Sequence, residues 1–166
     1  MGSKESGRWG RLMVGGGWLW LVAAAPGWAV ESMALKVGTF DSRGIALAYG
    51  RSTAPDGMMP IVDKLFEDYE AATAAGDSAL VAELENKGPA LQEELHQKVF
   101  FGAPIPDILE LLAEDLPKVA EAAGVDLIAQ QVLYQGPQVE VVDLTLPLAA
   151  HFQPDEETLG MIKQIV

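Results

Sequence analysis

The chain has 166 residues, 24 Asp and Glu against 11 Lys and Arg, a formal charge of −13, and no cysteine. That length suits one domain of ordinary size. The charge disfavours phosphate backbones and anionic lipid heads, so no nucleic acid is expected as a partner; the lack of thiols excludes disulfides, thiolate metal sites and cysteine nucleophiles.

Lys4, Arg8 and Arg11 precede the apolar run from Leu12 to Ala25, and Gly27 and Ala29 then supply small residues. A basic start, a short apolar core and a small-x-small end form the layout of a secretory signal. The run falls short of the roughly 20 apolar residues of a comfortable span. Residues 1–29 are therefore predicted to be a signal peptide cleaved after Ala29, with a retained signal anchor as the alternative. The protein is then exported to the periplasm, with no stable membrane insertion after cleavage. Residues 30–166 are expected to form one domain, still more acidic than the whole because three basic residues and only Glu5 leave with the signal.

Leu35, Val37 and Thr39 alternate with Lys36, Gly38 and Phe40, which predicts a strand. Asp41 or Ser42 can cap a following helix by accepting a bond from an orphan backbone N–H. Ile45, Leu47, Ala48 and Tyr49 supply that helix with an apolar surface. Asp41, Ser42 and Arg43 are thus a candidate structural corner, with Arg43 expected to pair with Asp126 or Asp143 if the terminal strands meet. Gly38 to Ser42, "GTFDS", is similar to a loop near the start of the glutamate racemases, whose aspartate accompanies a catalytic pair of cysteines. A chain without thiols cannot perform that proton transfer, so the stretch is read as a turn. Arg51 to Pro60 is dense in turn formers and predicts a loop.

From Pro60 the period becomes helical. Ile61, Val62, Leu65, Phe66 and Tyr69 recur at spacings of three and four, opposite Asp63, Lys64, Glu67, Asp68 and Glu70. Gly76 can close this helix, and Asp77 or Ser78 can cap a second that carries Leu80, Val81, Leu84, Leu91, Leu95 and Val99. So short a break predicts an antiparallel αα-hairpin. Pro89, at a cost on the order of 3 kcal/mol inside a helix, can divide the second helix into two pieces. The stripe fits an amphipathic pair on a core as well as a protruding coiled coil. Leu65, Phe66, Tyr69, Leu84, Leu91 and Leu95 are the candidates to face a client or partner. A third helix is expected from Pro106, with a kink at Pro117 and a stop at Gly124, which closes a helical excursion over about 58–123.

Two strand-like runs follow, Val125 to Tyr134 and Gln138 to Leu146, separated by Gln135-Gly136-Pro137; they predict a β-hairpin. Pro154 to Glu157 resembles the acidic first turn of a last helix. The expected fold is α+β: a small antiparallel β body formed by the N-terminal strand and a C-terminal β-hairpin, with an intervening αα-hairpin excursion.

Catalysis finds little support. His96 and His151 lie apart, without a triad or the two-histidine spacing of a zinc hydrolase. The acidic pairs lack the alternating ligands and central glycine of an EF-hand, and no phosphate loop is present. No enzyme, cofactor or metal site is expected.

Val125-Asp126-Leu127-Ile128, Val132-Leu133-Tyr134 and Asp143-Leu144-Thr145 resemble the C-terminal segment of the OmpH/Skp family of periplasmic chaperones. Leu35 to Ile45 is similar, more loosely, to that family's opening strand and corner. The resemblance implies a homo-trimer that pools strands into a β body, with helical arms around a cavity. It further implies an ATP-independent holdase that binds unfolded outer-membrane polypeptides without catalytic residues. The charge suggests an alternative: an acidic envelope interaction module that docks a basic protein partner, without chaperone activity.

Overall fold

The computed structural model describes residues 34–165. The signal segment and its cleavage site after Ala29 lie outside the described residues.

β1 (Leu35–Thr39) is the centre of a three-stranded sheet, flanked by β2 (Leu127–Ala129) and β3 (Val139–Asp143). Both neighbours run parallel to β1, with Thr39 beside Ala129 and Leu35 beside Val139. The expected antiparallel body is therefore wrong, and so is the C-terminal β-hairpin. Residues 130–138 do not turn tightly; they return from the end of β2 to the level where β1 begins and step across it. This arrangement gives β1 a hydrogen-bonding partner on both edges, whereas a hairpin docked on one side would leave the other edge of a buried strand unpaired. The pairing extends past the strands: Asp126 N–H donates to the Lys36 carbonyl at 2.7 Å, Lys36 N–H to Asp126 Oδ2 at 2.8 Å, and Leu144 N–H to the Thr39 carbonyl at 2.7 Å.

Alternation divides the sheet into two faces. Gly38 and Phe40 point toward the helices with Ile128, Val142 and Leu144. A Cβ on Gly38 would lie 2.3 Å from Leu144 Cδ1, so glycine is what lets the buried leucine seat against the strand. Leu35, Val37 and Thr39 take the other face, beside Val139, Val141 and Asp143. The connector 130–138 crosses on that side.

The helices follow in order. α1 (Ser42–Arg51) starts at Asp41, whose Oδ1 accepts from Arg43 N–H at 2.9 Å; Asp41, not Ser42, is the cap. Its Ile45, Ala46 and Ala48 are fully buried. α2 (Met58–Ala75) ends at Gly76, left-handed at φ 69°, and Asp77 caps α3 (Ser78–Phe101) through Leu80 N–H at 3.0 Å. Tyr69 reaches Glu85, and Leu65 lies against Gly88, so the pair is antiparallel. α3 continues unbroken through Pro89. Buried Leu84 before the proline, and half-buried Leu91 and Leu95 with buried Val99 after it, hold both halves in the packed structure and offset the proline's cost.

At the end of α3, the buried Lys98 bonds Glu94 at 2.6 Å and Asp107 at 2.7 Å. Burial opposes its charge, but the two carboxylates outweigh it and raise its pKa. The single third helix expected from the sequence is two: α4 (Pro106–Leu111) and α5 (Leu116–Ala123), so Pro117 begins a helix rather than kinking one. α6 (Thr145–Ala149), a 3₁₀ turn (Ala150–Phe152) and α7 (Glu156–Ile165) close the fold. Phe152, Leu148 and Ile162 join Ile45, Ile108 and Leu112 in the core. Among the described residues, no helix is long and apolar enough to cross a membrane.

Candidate functional site

Two concave features stand out, and the first is at the carboxyl ends of the strands. β1 has a neighbour on each side, so the chain connections diverge there, which is where open α/β sheets form their ligand crevices. The crevice measures about 600 Å³ and lies between Asp41-Ser42, the connector residues 130–135, and Asp143 and Thr145 of β3 and α6. Its polar groups are already ordered. Arg43 donates through Nε to Asp41 Oδ1 at 3.0 Å and through Nη2 to Oδ2 at 2.5 Å, and also reaches the Ile165 carbonyl at 3.1 Å. These bonds hold the Asp41 carboxyl below the usual carboxylate range against partial burial. Thr145 joins the two strand ends: its Oγ1 accepts from Asp41 N–H at 2.8 Å and donates to Asp143 Oδ1 at 2.6 Å. Gln130 Nε2 donates to Ser42 Oγ at 3.1 Å.

The expected partners of Arg43 are thus elsewhere. Asp126 binds Lys36, Asp143 binds Thr145, and Arg43 is committed to Asp41 and the last helix. Sequence reasoning named the corner Asp41-Ser42-Arg43 and brought Asp143 near it as a partner of Arg43, but missed Gln130 and Thr145 as its companions, because the parallel course of β2 and β3 is what carries them to it.

The second feature lies along α3. Met58, Val62, Leu65, Phe66, Pro89, Leu91 and Leu95 line a groove of about 390 Å³. Leu47, Leu95, Val99 and Phe100 line a further hollow of about 320 Å³, and the two share Gln92 and Leu95. Together they form one trough from Gly88 to Phe100, about 18 Å at the helical rise of 1.5 Å per residue. Phe66 (66% exposed) and Phe100 (68% exposed) stand on its rim. Of the six candidates, Leu65, Phe66, Leu91 and Leu95 converge here. Tyr69 lies further along the hairpin, half-buried, with its hydroxyl 3.4 Å from Glu85; Leu84 is buried toward the hairpin's tip.

No family model matches the sequence, and neither a curated protein nor a solved structure matches the chain.

His96 is exposed on α3, its ring 4.7 Å from that of Phe100. His151 places Nδ1 2.6 Å from Asp115 and Nε2 2.5 Å from Asp56, so both ring nitrogens are engaged by carboxylates and neither faces a hydroxyl it could activate. Desolvation works against its charge, but the bonds to Asp115 and Asp56 prevail and its pKa is raised. Among the described residues, no group of His, Asp and Glu is arranged to hold a metal ion.

Proposed function

We propose that the protein is a non-enzymatic, exported holdase whose trough along α3 captures apolar segments of unfolded polypeptides, outer-membrane proteins among them. The observation that carries this reading is the trough itself: its walls are almost wholly aliphatic and aromatic, and its rim exposes two phenylalanines that a chain without a partner gains nothing by presenting to water. At about 18 Å it accommodates five or six extended residues at 3.3 Å each. The protein's strong negative charge keeps it soluble while that surface is open.

A chemically unfolded β-barrel protein diluted into buffer with the exported chain tests this. Suppression of light scattering is expected near stoichiometric amounts. The double variant Phe66→Ser/Phe100→Ser, altered only at exposed side chains, is expected to lose it several-fold. No suppression by the unaltered protein would remove the reading. Suppression that collapses in 0.5 M salt would replace it with acidic docking of a basic partner, since charge attraction is screened and apolar capture is not.

The reading includes assembly into a homo-trimer. Among the described residues the sheet is open at both edges, and Leu35 and Leu127, which share one face of it, are each 43% exposed. Size-exclusion chromatography with light scattering is expected to return three times the chain mass at micromolar concentration, and a monomer would exclude it.

A further inference from the structure

The crevice at the strand ends is separate from the trough and shares no lining residue with it. We propose that it binds a small organic cation, an ammonium or guanidinium group carried on an apolar body. Its volume of about 600 Å³ lies within the range of small-molecule sites and above what a water cluster needs.

The charges select the sign of the ligand. Among the described residues, no lysine, arginine or histidine lines the crevice. Asp41 has both carboxylate oxygens occupied by Arg43. Asp143 differs, because Thr145 takes only Oδ1, through N–H at 2.8 Å and the hydroxyl at 2.6 Å. Among the described residues, Oδ2 has neither a hydrogen-bond donor nor a cation. An anion would meet this carboxylate, and the N-terminus of α1, which would otherwise attract one, is already capped by Asp41. A cation meets an available oxygen in a site the protein's net charge further favours.

The remaining groups define the body of the ligand. Ser42 is 4% exposed and lines the crevice; its Oγ accepts from Gln130, and among the described residues no acceptor takes its proton. A ligand oxygen or nitrogen lone pair can take it. Val132, Val141 and Phe40 provide apolar wall, and Tyr134, 83% exposed on the connector, can fold its ring onto a bound cation.

The probes are three matched molecules: phenethylammonium, 2-phenylethanol and 3-phenylpropionate. Each is titrated into the isotopically labelled exported chain while amide shifts are followed by NMR. Phenethylammonium is expected to bind at least about tenfold more tightly than the alcohol, the carboxylate weakest, with shifts at Ser42, Gln131, Tyr134 and Asp143. Asp143→Asn keeps the Oδ1 that Thr145 uses and is expected to abolish the preference for cation over alcohol while alcohol binding persists. Ser42→Ala, which leaves the charge in place, should weaken the alcohol, whose oxygen accepts the serine proton, and keep or widen the preference, because the ammonium has no lone pair to accept it. Equal affinity for cation and alcohol, a preference that survives Asp143→Asn, or shifts confined to the trough would each overturn the proposal. The result is independent of the aggregation assay, which reads the trough alone.

Discussion

Phe152→Ala is expected to lower the unfolding free energy by roughly 3–5 kcal/mol, the usual range for deleting a buried aromatic ring. Phe152 is 0% exposed and sits at the junction of the 3₁₀ turn with α1, its ring 5.6 Å from Tyr49 in an edge-on contact. The residue also fixes the backbone. Its carbonyl accepts from the buried Ser52 hydroxyl at 2.7 Å, and the next residue, Gln153, turns the chain through a left-handed φ of 50°. The ring therefore cannot be replaced by a shift of α7 without losing the turn that joins it. A domain of this size is stable by about 5–15 kcal/mol, so the loss is a large fraction of the whole. Denaturant unfolding followed by circular dichroism measures it. Phe101→Ala is the control: the same deletion on a residue 71% exposed should cost within about 0.5 kcal/mol. Equal losses for the two variants would mean that the core is not where this fold places it.

The sequence carries much of this arrangement in its local chemistry. The period of two in Leu35–Thr39, the cap at Asp41, the helical stripes, the stop at Gly76 with its cap at Asp77, and the stop at Gly124 are each set by residues within a turn or so of the feature, and each is found. What the residues around Val125 and Val139 do not encode is direction. Two apolar runs flanking Gly136-Pro137 fit a hairpin, and nothing between them excludes it. The parallel choice is made ninety residues away, by β1 and its two unpaired edges. The crevice depends on that choice, since Asp143 and Thr145 reach Asp41 only when β3 runs alongside β1. Pro89 is the converse case: its local preference is plain and tertiary packing overrides it. Phe152 and Leu148 lie in a stretch with no sustained period, which is why their place at the centre of the core was not legible.

His151 gives the second large expectation, a loss of stability as pH rises. Asp56, in the loop before α2, and Asp115, ahead of α5, both point at one imidazole on the 3₁₀ turn, and Lys118 bonds Asp115 at 2.6 Å from the outside. As an imidazolium, His151 donates to both carboxylates; as a neutral ring it has one N–H and must turn a lone pair toward the other. The charged form is thus the one that ties three segments together. Its folded-state pKa lies above the ordinary 6.5, so the folded state binds this proton more tightly than the unfolded chain. The contribution is complete below about pH 6.5 and drains away as pH rises through the folded value. His151→Gln should be less stable than the parent by roughly 1–3 kcal/mol near pH 6, the scale of hydrogen bonds to charged groups. The two proteins should converge in alkaline buffer, because the parent alone loses the clamp there. Acid acts separately and with the opposite sign. Asp115, lowered by Lys118 first and His151 second, contributes stability that is lost as pH falls below its ordinary 3.8 through the folded value. Unfolding free energies across pH 5–9 for the parent, His151→Gln and the exposed control His96→Gln decide the matter. The control should keep the parent's slope, and a parent slope that survives in His151→Gln would show that the clamp does not hold these segments together.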